Sequence, residues 1–176
     1  MTISLIGFMG CGKSCIGKEL GKQLGCKVID LDRWMEEKEG RSIREIFSSD
    51  GERRFRELEA SALTEVLDTH GGEDFVLSPG GGLVTTPSAA EELHARTFCI
   101  YLQAGIDTLV YNLWHWPGDR PMLGQVKTPE ALRARISELL SAREQIYRHT
   151  AHAALDIDGM EYPAAAAEII RMAESR

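Results

Sequence analysis

Positive charge is scarce in this chain. Across 176 residues, 20 Lys and Arg face 27 Asp and Glu, a net charge of −7. No surplus of cations is available to hold a nucleic-acid backbone, so nucleic acid is not an expected partner. Cysteine is sparse as well. Cys11, Cys15, Cys26 and Cys99 form no CxxC pair and no regular framework, which argues against a zinc ribbon and a disulfide scaffold. No apolar run is long enough to span a bilayer, and Thr2 to Met9 lacks the basic start and small-residue cleavage site of a secretory signal. The expectation is a protein of the reducing cytoplasm with no membrane partner. Internal repeats and low-complexity tracts are also missing, and the ordinary composition rules out a wholly disordered or fibrous chain. With 43% hydrophobic and 27% charged residues, the composition fits one globular domain over residues 1–176.

The cations that are present are uneven, 14 Arg against 6 Lys. A guanidinium fork suits planar carboxylates and phosphates better than a point charge does. Arginine is therefore expected near any pocket.

Strand-like and helix-like segments alternate along the chain. Short apolar runs at Ile3–Ile6, Val28–Ile29, Phe75–Leu77, Phe98–Leu102 and Ala153–Ile157 read as strands. Helical spacing marks Lys13–Leu24, Ser42–Phe47, Glu52–Leu67 and Thr128–Tyr147, the last with Thr128 as N-cap and Pro129 at N1. The Ala-rich tail reads as a final helix. This alternation predicts an α/β fold of three layers, a central five-stranded parallel sheet flanked by helices. Residues 114–127 are the least regular stretch.

One motif carries specific chemistry. Gly7-Phe8-Met9-Gly10-Cys11-Gly12-Lys13-Ser14 fits G-x-x-x-x-G-K-[ST], after a strand and before a helix. The glycines let backbone N–H groups point inward around a phosphate, and the helix adds the positive end of its dipole. Lys13 is placed for the β- and γ-phosphates, and the Ser14 hydroxyl for Mg²⁺. The motif indicates a nucleoside triphosphate but does not name an acceptor.

Five further features bear on the acceptor. Asp30 and Asp32 follow the second strand, at the edge of the sheet where ligands bind; Asp32 either faces that site or only N-caps the next helix. Arg53, Arg54 and Arg56 alternate with Glu52, Glu57 and Glu59, either as a solvated helix face or as part of a pocket. Ser78-Pro79-Gly80-Gly81-Gly82 makes a tight turn and brings bare backbone N–H groups to the same edge. Gly118-Asp119-Arg120-Pro121 is either a surface loop or a lid that closes on a transferring phosphate. Arg143 lies unremarkably within a long helix.

Taken together, these pieces resemble the shikimate kinase family of P-loop, nucleoside-monophosphate-kinase-like proteins. The resemblance covers nearly the whole chain. It rests on the phosphate loop, Asp30-Leu31-Asp32, Gly40-Arg41-Ser42-Ile43, Asp50-Gly51-Glu52 with Phe55-Arg56 and Glu59, the triple glycine, Arg120-Pro121, and Ala142-Arg143 before Tyr147. It implies transfer of the ATP γ-phosphoryl group to the 3-hydroxyl of shikimate, with Mg²⁺ as cofactor, on the route to aromatic amino acids. Nucleotide contacts are implied for Gly10, Cys11, Gly12, Lys13, Ser14, Cys15 and Arg120, and metal contacts for Ser14 and Asp30. Asp32 is implied as the base, with Lys13 and Arg120 as its catalytic companions. Arg56 and Arg143 are implied to grip the substrate carboxylate, and Glu59 to orient Arg56. Gly80, Gly81 and Gly82 would meet the substrate through their backbone, and Phe47 and Phe55 would wall its ring. Residues 114–127 would form the lid, residues 32–67 the substrate-binding helices, and the protein would act as a monomer.

The chain departs from the family pattern where the nucleotide base is held. Many members carry an arginine before the lid and another after the last strand. Here these neighbourhoods read Val110-Tyr111-Asn112-Leu113 and Asp156-Ile157-Asp158-Gly159-Met160. Cys15 stands where the family usually has threonine. Trp114-His115-Trp116 is read either as lid packing or as an adenine contact. The rival functions are a gluconate kinase, which joins the same loop to another anionic polyol, and a non-catalytic nucleotide-binding switch.

Overall fold

The computed structural model describes residues 1–118 and 120–176; Asp119 of the arginine-bearing loop lies outside the described residues. Five strands run as β1 Thr2–Ile6, β2 Lys27–Asp30, β3 Phe75–Ser78, β4 Phe98–Gln103 and β5 Ala153–Asp156. They form one parallel sheet in the order β2-β3-β1-β4-β5. The helices are α1 Lys13–Leu24, α2 Leu31–Glu39, α3 Ile43–Thr69, α4 Pro87–Arg96, α5 Ile106–His115, α6 Pro129–Thr150 and α7 Tyr162–Glu174. Short 3₁₀ turns occupy Leu83–Thr85 and Pro121–Leu123.

The strand side chains alternate between two cores, as the period of two requires. Ile3 and Leu5 of β1, Val76 of β3, and Ile100 and Leu102 of β4 pack with Ile16 and Leu20 of α1, Leu109 and Leu113 of α5, and Ile169 of α7. Phe75 and Leu77 of β3, with Cys99 and Tyr101 of β4, pack on the opposite face with Met35 of α2, Leu63 and Val66 of α3, and Leu93 of α4. Strands β1, β3 and β4 are thus buried on both faces, which is why they read as continuous apolar runs rather than alternating ones.

The five-stranded α/β architecture matches the sequence expectation. The two helices expected at Ser42–Phe47 and Glu52–Leu67 are the halves of α3, which breaks at Gly51 (φ 82°, ψ 170°). Its start is fixed by a capping box in which Ser42 and Glu45 satisfy each other's backbone N–H groups. Helix α6 starts as expected, with the Thr128 hydroxyl accepting from the Ala131 N–H at 3.1 Å, and runs three residues beyond the expected Tyr147, to Thr150. Helix α4 has no counterpart in the sequence reading, because only Ala89 and Leu93 mark its buried stripe. The sheet reverses direction of growth around β1. After β1 the chain crosses to β2, returns to β3 beside β1, and then continues to β4 on the far side. The crevice at such a switch point, beyond the carboxyl ends of the strands, is where open α/β sheets hold ligands.

Candidate active site

A cleft of about 530 Å³ opens there. The segments leaving β1, β2 and β3 form its floor, α3 and α6 one wall, and the segment after α5 the roof.

The loop after β1 is wound for anion binding. Gly10 and Gly12 sit at φ 79° and 97°, where a side chain would strain the backbone. Gly12 is the N-cap of α1, so the helix begins with its free N–H groups turned to the cleft. Lys13 is buried, and its Nζ donates to the carbonyls of Gly7 (2.8 Å) and Phe8 (3.0 Å). Ser14 and Cys15 line the cleft beside it. Cys11 differs from its neighbours: its side chain is buried in the core, with Sγ 3.8 Å from Lys13 Nζ, and its N–H donates to the Phe8 carbonyl at 3.2 Å. It is absent from the cleft lining.

Asp30, at the end of β2, is the residue that caps α2, accepting from the Arg33 N–H at 3.2 Å. That frees Asp32 from the capping role. Two residues further on, Asp32 points into the cleft, and its Oδ1 is buried without a hydrogen-bond partner in the protein. Burial, reinforced by the nearby Asp30 carboxylate, pushes its pKa up to about 6.

The triple glycine after β3 is required by contact. A methyl group on Gly80 would come 2.7 Å from Glu59 Oε1 and 3.1 Å from Asp32 Oδ1, and one on Gly82 would come 2.3 Å from Arg56 Nη2. Gly82 has an ordinary φ of −100°, so its constraint is space alone. Tyr147 of α6 donates from its hydroxyl to the Gly81 carbonyl.

The charged wall comes from α3 and α6. Arg56 Nη1 donates to Glu59 Oε2 at 2.6 Å, and its Cζ lies 5.1 Å from the Phe55 ring centre. Glu59 is 1% exposed, and burial lifts its pKa to about 7 in spite of the Arg56 pairing. Arg143 is 4% exposed, 5.9 Å from the Phe8 ring centre. Arg56 Nε and Arg143 Nη1 both lack a hydrogen-bond partner. The bland reading of Arg56 as a solvated surface charge is therefore set aside, whereas Arg53 and Arg54 do lie exposed with Glu57. Phe47 and Phe55 pack with ring centres 4.9 Å apart beside this wall. Arg120 lines the roof, where burial lowers its pKa, and its Nη1 donates to the Pro117 carbonyl at 2.8 Å.

Apart from Cys11, every residue implied above for nucleotide, metal or substrate lines this one cleft, and of Trp114-His115-Trp116 only Trp116 does. The sequence reading missed Asn112, whose Nδ2 donates to the Gly10 carbonyl at 2.8 Å and ties α5 to the phosphate loop. It also missed Tyr162, at the start of α7. Neither carries a motif signal; both arrive through the packing of helices remote in sequence.

Among the described residues, no cluster of three or more His, Cys, Asp or Glu could enclose a metal ion. Among the described residues no helix is long and apolar enough to cross a membrane.

The family model for shikimate kinase matches residues 9–174. A shikimate kinase of Thermus thermophilus is 40% identical over 179 residues, covering 99% of this chain and 92% of that protein. Among solved structures, the shikimate kinase of Acinetobacter baumannii in complex with shikimate superimposes with a TM-score of 0.90 at 30% identity, covering 99% of this chain and 93% of that one. A gluconokinase from Sinorhizobium meliloti covers 99% of this chain and 94% of its own with a TM-score of 0.54 at 18% identity, a likeness of fold alone. The chain belongs to the shikimate kinase family, and its activity is the ATP-dependent phosphorylation of shikimate.

Proposed function

We propose that the cleft carries out this transfer on the 3-hydroxyl of shikimate with the residues that line it. The observation that supports this best is a set of three buried atoms that make no hydrogen bond within the protein, Asp32 Oδ1, Arg56 Nε and Arg143 Nη1. Two unsatisfied guanidinium donors and one unsatisfied carboxylate acceptor complement a molecule that carries a carboxylate and hydroxyl groups. Leaving such groups unpaired costs about 1–3 kcal/mol each, so a ligand that satisfies them gains that much specificity. Shikimate has this chemistry, and a non-catalytic nucleotide switch would have no use for it.

In this reading Arg56 and Arg143 grip the planar carboxylate, and the Glu59 pairing fixes the Arg56 fork. Phe47 and Phe55 lie against the ring, and Gly80, Gly81 and Gly82 bring the chain close enough for backbone contact. The loop N–H groups from Gly10 to Cys15 and the Lys13 ammonium hold the phosphates; Cys11 would contribute through its backbone only. Asp32, with a pKa near 6, is ionised at neutral pH and accepts the proton of the attacking hydroxyl as the new O–P bond forms and the bond to the β-phosphate oxygen breaks. The transition state of phosphoryl transfer is loose, so holding the hydroxyl in line matters as much as base strength. Arg120, from the lid at residues 114–127, stabilises the charge on the moving phosphoryl group.

Ser14 and Asp30 offer two hard oxygen donors in the cleft, which fits Mg²⁺ held mainly by phosphate oxygens and water. They are the residues that would hold it. When bound, the ion neutralises charge on the β- and γ-phosphates. One domain over residues 1–176, a monomeric state and a cytoplasmic location complete the proposal.

A coupled assay of ADP release tests it. Release is expected with shikimate and not with gluconate or without an acceptor. Release with gluconate alone would reassign the acceptor, and binding of ATP with no release in any arm would reduce the protein to a switch.

A further inference from the structure

Four cations line the cleft among the described residues: Lys13, Arg56, Arg120 and Arg143. The proposed function, on which this inference rests, uses all four for phosphates and the acceptor carboxylate. None remains for the nucleotide base. The cleft also holds four aromatic side chains, and these divide by position. Phe47 and Phe55 pack on each other beside Arg56, at the acceptor end. Tyr162 borders the phosphate loop, and Trp116 lines the cleft just past α5.

The course of the nucleotide follows from the two ends. The γ-phosphate must face Asp32 and the acceptor, so the ribose and base leave the loop in the opposite direction, past Cys15 at the start of α1. Tyr162 stands on that side. A methyl group placed on Gly12 would lie 3.4 Å from Tyr162 Cε1, so the ring is within contact distance of the phosphate loop. Trp116 lines the cleft from the close of α5, a helix pinned to the loop by the Asn112 bond to the Gly10 carbonyl, and its ring stands edge-on to Tyr111 with centres 6.1 Å apart. Both rings are unusually bare for their type, Trp116 at 65% and Tyr162 at 46% exposure. Large aromatic faces left open to water beside a phosphate site are the arrangement that stacking on a base requires.

We infer that Tyr162 and Trp116 hold the nucleotide base by stacking, giving this chain an aromatic base site in place of a cationic one. Tyr162 offers the ring next to the phosphate loop, and Trp116 closes from the lid side. The Tyr162 hydroxyl is not needed for this role, but the ring is.

Calorimetry with ADP and with pyrophosphate separates base from phosphate contacts. Tyr162→Ala and Trp116→Ala are each expected to weaken ADP by roughly 5- to 150-fold, the range for losing one base–aromatic stack. Pyrophosphate affinity should stay unchanged in both variants, and Tyr162→Phe should bind ADP within about twofold of the parent, since the ring face is kept. ADP should also alter the intrinsic fluorescence of the parent and of Trp114→Phe but not of Trp116→Phe. Equal weakening of ADP and pyrophosphate would mean that the rings act only by shaping the loop, and would overturn the inference. So would ADP affinity unchanged in both alanine variants. A parent protein that binds neither ligand would overturn the underlying reading instead, and this one with it.

Discussion

At the phosphate-loop end of the cleft, Lys13 Nζ donates to two loop carbonyls, Asn112 ties α5 to a third, and Gly12 opens a helix. At the acceptor end, Asp32 Oδ1, Arg56 Nε and Arg143 Nη1 make no hydrogen bond, Arg56 Nε having only a long ion pair with Glu52 at 3.9 Å, and Asp32 and Glu59 are held above their ordinary pKa values by burial. The first region is made chiefly of backbone: its carbonyls are taken up within the protein, and the N–H groups that open α1 are left free for an anion. The second is made of side chains with polar atoms left without a hydrogen bond. A backbone cradle of this kind can be shared by any protein that binds a nucleoside triphosphate. In the function proposed above, the unsatisfied arrangement is what selects one acceptor, and it costs the fold stability.

The largest effect that would sharpen this contrast comes from Lys13→Ala. Positioning and charge stabilisation dominate phosphoryl transfer. Turnover should fall by on the order of 10²-fold or more, read as kcat in the coupled assay. A folded variant near parental turnover would break the assignment of the loop. At the acceptor end, Asp32→Asn keeps shape and removes the charge; it should also lower kcat by on the order of 10²-fold and erase the acid limb of the pH profile near 6. A variant keeping half its activity would remove Asp32 from the chemistry.

Gly82→Ala tests contact rather than charge. The backbone there tolerates alanine, but the Arg56 guanidinium must move. Shikimate KM should rise roughly tenfold or more, with ATP KM little changed, because one charge-assisted contact contributes about 1.5–3 kcal/mol. Combined with Arg56→Ala, the two losses should not add. Additive losses would show that the glycine serves something else.

The smallest effect is on stability. Asp32 binds a proton more tightly in the folded chain, at about 6, than in the unfolded one, at 3.8. Stability therefore falls as pH rises from about 4 to 6, and the cost persists above that range. Asp32→Asn should melt several degrees above the parent at about pH 8, within a ceiling of about 3 kcal/mol for a shift of this size, and the gap should close by about pH 4. A variant less stable at the higher pH would mean that the charged carboxylate stabilises the fold.

These two regions also differ in how legible they are in the sequence. The phosphate loop is readable because its chemistry is confined to eight consecutive residues. The parallel sheet and its burial on both faces follow from short apolar runs separated by helical periods. At the acceptor end the residue types are readable only as a set, because Asp32, Arg56 and Arg143 come together from α2, α3 and α6. The reason for the triple glycine is not readable, since it lies in how closely Glu59, Asp32 and Arg56 approach across the cleft. Nor is the burial of Cys11, which turns inward from the loop. Asn112 and Tyr162 have no local signal, and only the docking of α5 and α7 on the loop reveals them.

The measurement that bears most directly on the account is shikimate affinity set against that of its carboxamide analogue, in the parent protein and in Arg56→Ala and Arg143→Ala. If the unsatisfied guanidinium atoms exist to take a carboxylate, each truncation should weaken shikimate by roughly 10- to 150-fold. The carboxamide should bind poorly to the parent and lose little more in the variants, a cycle with one of its mutations on the ligand. Equal losses for both ligands would contradict the account, because the arginines would then be acting on something other than the carboxylate.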